Sequence, residues 1–234
     1  MIKKKIVTIV GAGVIGAGWA ARMLACGLIV NAYDPSVKAR KQLLSNTKTA
    51  LKSLQRLGLN KNAKLSNLKI YSDLRESLHS TTFVQENAPE NEKLKKKLLK
   101  DIDKLLPKNI IIASSSSGLL PTRIQSLCNY PERVCIGHPF NPVYLLPLVE
   151  LVSGKQTKKN TITRAKKFYE GIGMKPLIVK KEIEGYISDR LQEALWREAL
   201  HIIKDGIAST QDVDDAIVYG LSLIHISEPT RHTS

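Results

Sequence analysis

The chain has 234 residues, and 43% of them are hydrophobic, enough to bury a core and too many for a disordered segment. Its 36 Lys and Arg against 21 Asp and Glu leave a formal net charge of +15, yet aromatics make up only 5% and no basic stretch is interleaved with them, which argues against a nucleic-acid partner and for a lysine-rich exterior that also favours an anionic cofactor. No apolar run reaches the ~18 residues of a membrane span, and three cysteines, Cys26, Cys128 and Cys135, with neither a Cys-x-x-Cys pair nor metal-ligand spacing, point to free thiols, no metal site, no membrane and a cytoplasmic protein.

The charged start, Met1 to Lys5, precedes an apolar stretch of only Ile6–Val10 before a glycine-rich turn, so it reads as the lead into a first β-strand and not as a secretory leader. An alanine-rich helix is predicted over 14–26 and a second strand over 28–33, ending at Asp34. Pro35 suits a helix's first turn, and a long helix is predicted over 36–57, stopped by Gly58. Strands follow over 67–71 and 81–85, then a helix over 90–105 in which Leu94, Leu98 and Leu99 mark the buried face between solvated lysines. Further strands are predicted over 109–113 and 134–136, with a short helix at 122–127 between them. The 148–152 stretch is apolar, 161–172 is helical, 177–179 is a strand, and from Ile183 onward the pattern is helical only.

Strands alternating with helices on this rhythm imply an α/β fold with a doubly wound sheet, and such sheets bind ligands beyond the C-terminal ends of their strands. Gly11, Asp34, Glu86, Ser114 and His138 all fall just after predicted strands, which places them around one cleft. The expected organisation is a dinucleotide-binding domain over 1–182 of the Rossmann type, followed by a helical second domain from 183.

Gly11, Ala12, Gly13, Val14, Ile15 and Gly16 spell Gly-x-Gly-x-x-Gly between a strand and a helix, with Asp34 at the end of the next strand. In that setting Gly11 permits the tight turn, Gly13 lets backbone approach a pyrophosphate, and Gly16 lets the helix pack on the strand. Asp34 suits the ribose hydroxyls and repels a 2′-phosphate, so NAD is expected as cofactor in preference to NADP. FAD uses the same fingerprint, but nothing else in the chain suggests a flavin. The bland alternative is an ordinary glycine-rich turn with Asp34 as a helix cap.

Ser117, His138 and Glu150 form the candidate reacting trio. Oxidation of a secondary alcohol needs a base for the hydroxyl proton, and histidine titrates near neutral pH without special tuning. His138 is the candidate base, Glu150 its orienting carboxylate, and Ser117 a hydrogen-bonding partner for the substrate oxygen. A serine hydrolase would need a nucleophile elbow of the Gly-x-Ser-x-Gly kind, which is absent, and would leave the dinucleotide fingerprint idle. Each residue also has a plainer reading: a turn histidine, a glutamate alternating outward from a strand, a serine run capping a helix.

Four segments together, Gly11 to Gly16, Gln85 to Glu90, Ala113 to Leu119 and Gly137 to Val143, resemble the 3-hydroxyacyl-CoA dehydrogenase family, and the resemblance runs from about Ile6 to Gly220. It implies an NAD-dependent enzyme acting on a small-molecule substrate, with a helical second domain that makes a homodimer of the full-length protein. It also implies His138 and Glu150 as the catalytic pair, Ser117 at the substrate, and cofactor contacts at Gly11 to Gly16, Asp34, Glu90 and Lys95. Glu90 and Lys95 rest on the resemblance alone. Segments 118–122, 141–150 and 191–200 look most like the branch that oxidises L-carnitine, with L-gulonate and 3-hydroxyacyl-CoA oxidation as alternatives and a crystallin-like NAD-binding structural protein as the non-enzymatic one. Asp189 stands where the acyl-CoA enzymes usually carry asparagine. The substitution suits a trimethylammonium substrate, with Asn141, Tyr144 and Trp196 as further candidates near it.

Past Gly220 the chain departs from the family pattern, and residues 221–234 resemble translated sequencing-adapter DNA. The expectation is a truncated second domain, 183–220, whose helix over 185–203 exposes Leu191, Leu195, Leu200 and Ile203. Such a chain is expected to bind NAD weakly, aggregate and turn over little.

Overall fold

Thr8 and its apolar neighbours make β1, Ile6–Val10, the strand from which the sheet is built outward in both directions. The computed structural model describes residues 5–58 and 63–221. In chain order β1 is followed by α1 (Val14–Ala25), β2 (Ile29–Tyr33), α2 (Val37–Gln55), β3 (Leu68–Tyr71), α3 (Leu74–Ser77), β4 (Phe83–Glu86) and α4 (Glu92–Leu105). Then come β5 (Ile111–Ser114), α5 (Pro121–Ile124), β6 (Val134–Pro139), β7 (Leu148–Ser153), α6 (Lys159–Gly171) and β8 (Lys175–Val179). The eight strands lie in the order β3-β2-β1-β4-β5-β6-β7-β8. Every neighbouring pair is parallel except β6 and β7, which run antiparallel. The chain winds one way from β1 through β2 to β3, then returns to the other side of β1 at β4. That reversal opens a crevice between the ends of β1 and β4, the place where such sheets take their ligands.

Alternation along the strands separates two apolar layers. Val7, Ile9, Val30, Ala32, Phe83, Ala113, Cys135 and Leu151 share one cluster with Trp19 and Met23 of α1, Leu43 of α2, and Ala165 and Tyr169 of α6. Val10, Val84, Ile112, Val134, Ile136 and Val152 share the other with Leu99 and Ile102 of α4 and Ile124 of α5. Helices on both faces explain why the central strands are apolar on both sides. The polar residues left among them are satisfied: the Thr8 hydroxyl and the Asn31 amide both donate to the Ser77 carbonyl at the end of α3, each at 2.9 Å.

The buried face of α4 differs from the expected one. Lys95, Leu99, Ile102 and Asp103 are buried, while Leu94 is 42% exposed. Two ionic contacts turn the helix this way. Lys95 reaches the buried Glu86 at the end of β4, and Asp103 receives the buried Arg133, whose guanidinium lies 2.7 Å from its carboxylate. Arg133 also donates to the carbonyls of Asp103 and Leu106, and Asp103 accepts from the amides of Asn129 and Tyr130. This lock ties α4 to the lead-in of β6.

Two compact units divide the chain, Met1–Tyr186 and Ile187–Ser234. In the first, Tyr186 is 1% exposed and belongs to the second apolar cluster. In the second, α7 (Ser188–Lys204) and α8 (Thr210–Asp215) are followed by a π-helical turn, Ala216–Leu221. Ser209 caps α8 reciprocally with Asp212. Between α7 and α8 lies a cavity of about 1060 Å³ whose lining includes Asp189, Leu195, Trp196, Ala199, Val213 and Ile217. Residues 222–234, with nearly all of the adapter-like tail, lie outside the described residues.

Candidate active site

The glycine-rich turn is built as its sequence requires. Gly11 has φ +99°, a backbone conformation that disfavours side chains, and a Cβ there would stand 2.7 Å from the Asn87 carbonyl. A Cβ on Gly16 would overlap the Gly11 carbonyl oxygen, whereas the space in front of Gly13 is open. Gly13 begins α1 with no side-chain cap, so the first amides of α1 face that open space. The Asp34 carboxylate accepts from the Ala12 amide at 2.9 Å and the Ser36 amide at 2.8 Å, which sets it beside the turn. Arg40 is tied back to the Asp34 and Pro35 carbonyls. A cradle closed at Gly11 and Gly16, open at Gly13 and flanked by a carboxylate fits an adenine dinucleotide with a free ribose.

The histidine lies inside a strand, although the sequence placed it in a turn after one. The antiparallel partner β7 extends the ladder through Gly137, His138 and Pro139 and pairs His138 directly with Glu150. Cross-strand partners present side chains on the same face, so the register alone brings the two groups together. His138 Nδ1 lies 2.9 Å from Glu150 Oε2, with His138 only 6% exposed and Glu150 fully buried. An ionised carboxylate only accepts, so Nδ1 is the donor in this bond. Phe140 and Tyr186 pack on the imidazole with ring centroids 5.1 and 5.5 Å away. Tyr186 drew no attention in the sequence. It has φ +45°, and its hydroxyl donates to the Leu119 carbonyl at 2.9 Å, joining the histidine's surroundings to the loop after the serine run.

The serine run divides its labour. Ser114 donates to the Glu86 carboxylate. The Ser115 hydroxyl meets Trp19, Gln85 and Asn87. Ser116 donates to Glu90. Ser117, Gly118 and Leu119 turn their amides onto the same Glu90 oxygen at 3.1, 3.0 and 3.2 Å. Burial pushes the Glu90 carboxyl up, but the Ser116 hydroxyl, the Gly118 and Leu119 amides and the Lys95 ammonium outweigh it and hold it below the usual carboxylate range. Lys95 is 1% exposed, and its ammonium lies 2.9 Å from Glu86, 2.9 Å from the Ala88 carbonyl and 3.6 Å from Glu90.

The remaining candidates are placed as follows. Asn141 is exposed, in the segment between β6 and β7 and joined to Pro142 by a cis peptide. Tyr144 packs against Ala21, Ala25, Ala50 and Leu54. Asp189 lies in the first turn of α7 in the second unit, and Trp196 is 61% exposed on the same helix. Among the described residues no group of three or more His, Cys, Asp or Glu side chains converges as a metal site, and no helix is long and apolar enough to cross a membrane.

The model of the 3-hydroxyacyl-CoA dehydrogenase NAD binding domain matches residues 6–183, and that of the family's C-terminal domain matches residues 185–224. The chain belongs to the 3-hydroxyacyl-CoA dehydrogenase family. It is an NAD-dependent 3-hydroxy-acid dehydrogenase, and the cradle at Gly11 to Gly16 belongs to the family's NAD-binding domain. Among its relatives is an L-carnitine dehydrogenase of Oceanobacillus iheyensis, 47% identical over 219 residues that cover 94% of this chain and 71% of that protein. Another, from Bacillus cereus, is 48% identical over 219 residues, covering 94% and 67%. Among solved structures, an NAD+ dependent dismutase, 5-formyl-3-hydroxy-2-methylpyridine 4-carboxylic acid 5-dehydrogenase, superposes with a TM-score of 0.88 at 30% identity, covering 95% of this chain and 72% of that one. An (S)-3-hydroxybutyryl-CoA dehydrogenase of Ralstonia eutropha gives 0.84 at 31% identity, covering 94% and 78%.

Proposed function

We propose that the chain oxidises the 3-hydroxyl of L-carnitine to 3-dehydrocarnitine, with His138 as general base. The observation that carries the chemistry is the buried His138–Glu150 pair, with Nδ1 and Oε2 2.9 Å apart. Glu150 holds the ring so that Nε2 takes the hydroxyl proton, and its negative charge then stabilises the imidazolium. Ser117, held by its amide on Glu90, is assigned to the substrate oxygen. When bound, NAD supplies the acceptor for the hydride that leaves the carbinol carbon. Residues Gly11 to Gly16 would hold its pyrophosphate at the start of α1, and Asp34 would hold its ribose and disfavour a 2′-phosphate. Glu90 and Lys95 are assigned to the cofactor side of the cleft.

The substrate assignment is supported by 46–48% identity to several L-carnitine dehydrogenases. Two 3-hydroxybutyryl-CoA dehydrogenases that are among the structural neighbours make an acyl-CoA ester the competing substrate. We also infer a homodimer of the full-length protein, supported by the exposure of Leu191 at 67% and Trp196 at 61% on α7, and a reducing, cytoplasmic setting, supported by three free cysteines.

The deciding assay follows NADH absorbance with L-carnitine, L-gulonate and L-3-hydroxybutyryl-CoA side by side, with NADP as cofactor control. Preference for carnitine with NAD supports the proposal. Preference for the CoA ester keeps the histidine chemistry and overturns the substrate. In the same assay Asp189→Asn raises the KM for carnitine if its charge recognises the trimethylammonium group, and an unchanged KM removes Asp189 from recognition.

A further inference from the structure

We propose that Gln85 and Tyr169 are positioning residues of the dehydrogenase reaction, a hydrogen-bonded pair beneath the cleft that fixes the strand of His138 and the serine run relative to each other. The proposal rests on the reading of His138 as the base. Gln85 lies on β4 at the centre of the sheet, fully buried, and faces the apolar layer that holds Trp19 and Tyr169. An amide in such a layer must have its polar atoms satisfied. The Tyr169 hydroxyl donates to Gln85 Oε1 at 2.5 Å, and Gln85 Nε2 donates to Ser115 Oγ at 2.8 Å and to the Gly137 carbonyl at 3.2 Å.

The direction of every bond follows from the donors. Trp19 Nε1 can only donate, and it gives its proton to Ser115 Oγ at 3.1 Å. Ser115 therefore accepts from both Trp19 and Gln85, and its own proton goes to Asn87 Oδ1 at 2.7 Å. Burial keeps the Tyr169 phenol protonated, so it donates to Oε1 and thereby forces the Gln85 amino group toward Ser115 and Gly137. If that amide reversed, Gly137 and Ser115 would both face a carbonyl oxygen.

The two ends of the chain are the working parts. Gly137 carries the carbonyl of the peptide unit whose nitrogen belongs to His138, so a bond to that carbonyl holds the plane from which the histidine projects. A Cβ on Gly137 would overlap the Tyr169 hydroxyl, so the glycine before the histidine is what admits the tyrosine. Ser115 stands two residues before Ser117, and Asn87 packs its backbone against Gly11 of the cofactor turn. One directed chain thus joins α6, the histidine strand, the serine run and the glycine turn. Misplacing reacting groups by a fraction of an ångström lowers the rate without removing any reacting group.

The test uses Tyr169→Phe and Gln85→Met in the full chain. Both are expected to lower kcat about ten- to hundredfold, with KM for substrate and NAD within about twofold and melting still cooperative. A second readout needs no turnover. The chain has two tryptophans, so the Trp19 indole N–H resonance is assigned by Trp19→Phe. Its chemical shift and exchange rate are expected to change in Gln85→Met, which removes the amide that shares the Ser115 hydroxyl with the indole; Tyr169→Phe does not serve here, because the Tyr169 ring itself lies 5.4 Å from the Trp19 ring. Unchanged kcat per folded molecule in both variants, with only lowered melting temperature, overturns the positioning role. An unmoved Trp19 resonance in Gln85→Met overturns the directed chain. If the parent chain oxidises none of the 3-hydroxy substrates while the resonance moves, the fault lies in the functional reading and not in the network.

Discussion

At the residue scale, the proposed chemistry rests on His138 and the fully buried Glu150 carboxylate 2.9 Å from its Nδ1. Replacing Glu150 with Gln keeps the shape but allows the side chain to donate to Nδ1, which presents the wrong tautomer and removes the countercharge. Both His138→Ala and Glu150→Gln are expected to lower kcat by about 10²–10⁴-fold while NAD affinity, measured by fluorescence titration, stays within about twofold. Loss of NAD binding in parallel with turnover would show that the pair is structural. Burial pushes Cys135 up to about 12, and burial with the Asp103 charge pushes Cys128 to about 12 as well. Alkylation at pH 8 followed by mass spectrometry is therefore expected to leave both unmodified until the chain unfolds. Labelling of either in the folded protein at the rate of a model thiol would contradict this.

At the element scale, the site depends on β6 and β7 being antiparallel neighbours and on a layer that tolerates no extra atom. Gly137→Ala places a methyl group on the Tyr169 hydroxyl and is expected to destabilise the protein by about 1–3 kcal/mol in urea unfolding. Adding Tyr169→Phe to it is expected to recover part of that loss, because the clash is with the hydroxyl. A double variant as unstable as the sum of the two single ones would place the strain elsewhere. The second lock, Arg133 with Asp103, is 3% and 1% exposed. Arg133→Met leaves Asp103 charged and buried without its partner, with an expected cost of about 3–5 kcal/mol. A cost below about 1 kcal/mol, the range of a surface pair, would mean that water replaces the guanidinium.

At the scale of the whole molecule, the sheet reverses direction between β1 and β4, and Glu86 with its neighbours occupies the end of that crevice. Glu90 holds the 116–119 loop there through one oxygen, with its carboxyl depressed below the usual range. A depressed folded value means that the stabilisation is full above the unfolded value of about 4.3 and is lost as pH falls through the lower folded value. The melting-temperature gap between the protein and Glu90→Gln is therefore expected to be constant from pH 7 to about 5 and to narrow toward pH 3. A gap that persists unchanged to pH 3 would remove the charge of Glu90 from the account.

The fold was legible because its signals are local. Strand and helix periodicities, the glycines of the turn and the acid after β2 each act within a few residues. The His138 and Glu150 candidates were legible from residue type and place, but their meeting was not. The 148–152 stretch is apolar whichever way it runs, and only its antiparallel pairing with β6 sets Glu150 against the histidine. Lys95 looked like one solvated lysine among many, and its burial follows from a carboxylate nine positions away on another element. Tyr169 and Tyr186 gave no signal at all, and Gln85 stood out only as the first residue of a segment that resembles the family. A buried polar side chain is recognised by its partners, and theirs are 30, 84 and 67 positions distant in the chain. The sequence by itself determined most of the element types, the cofactor turn and the kind of chemistry, but left 148–152 merely apolar and the short helix Leu74–Ser77 unread. The tertiary structure decided which polar groups face one another, because hydrogen bonds depend on distance in space and the pattern of residue types records only distance along the chain.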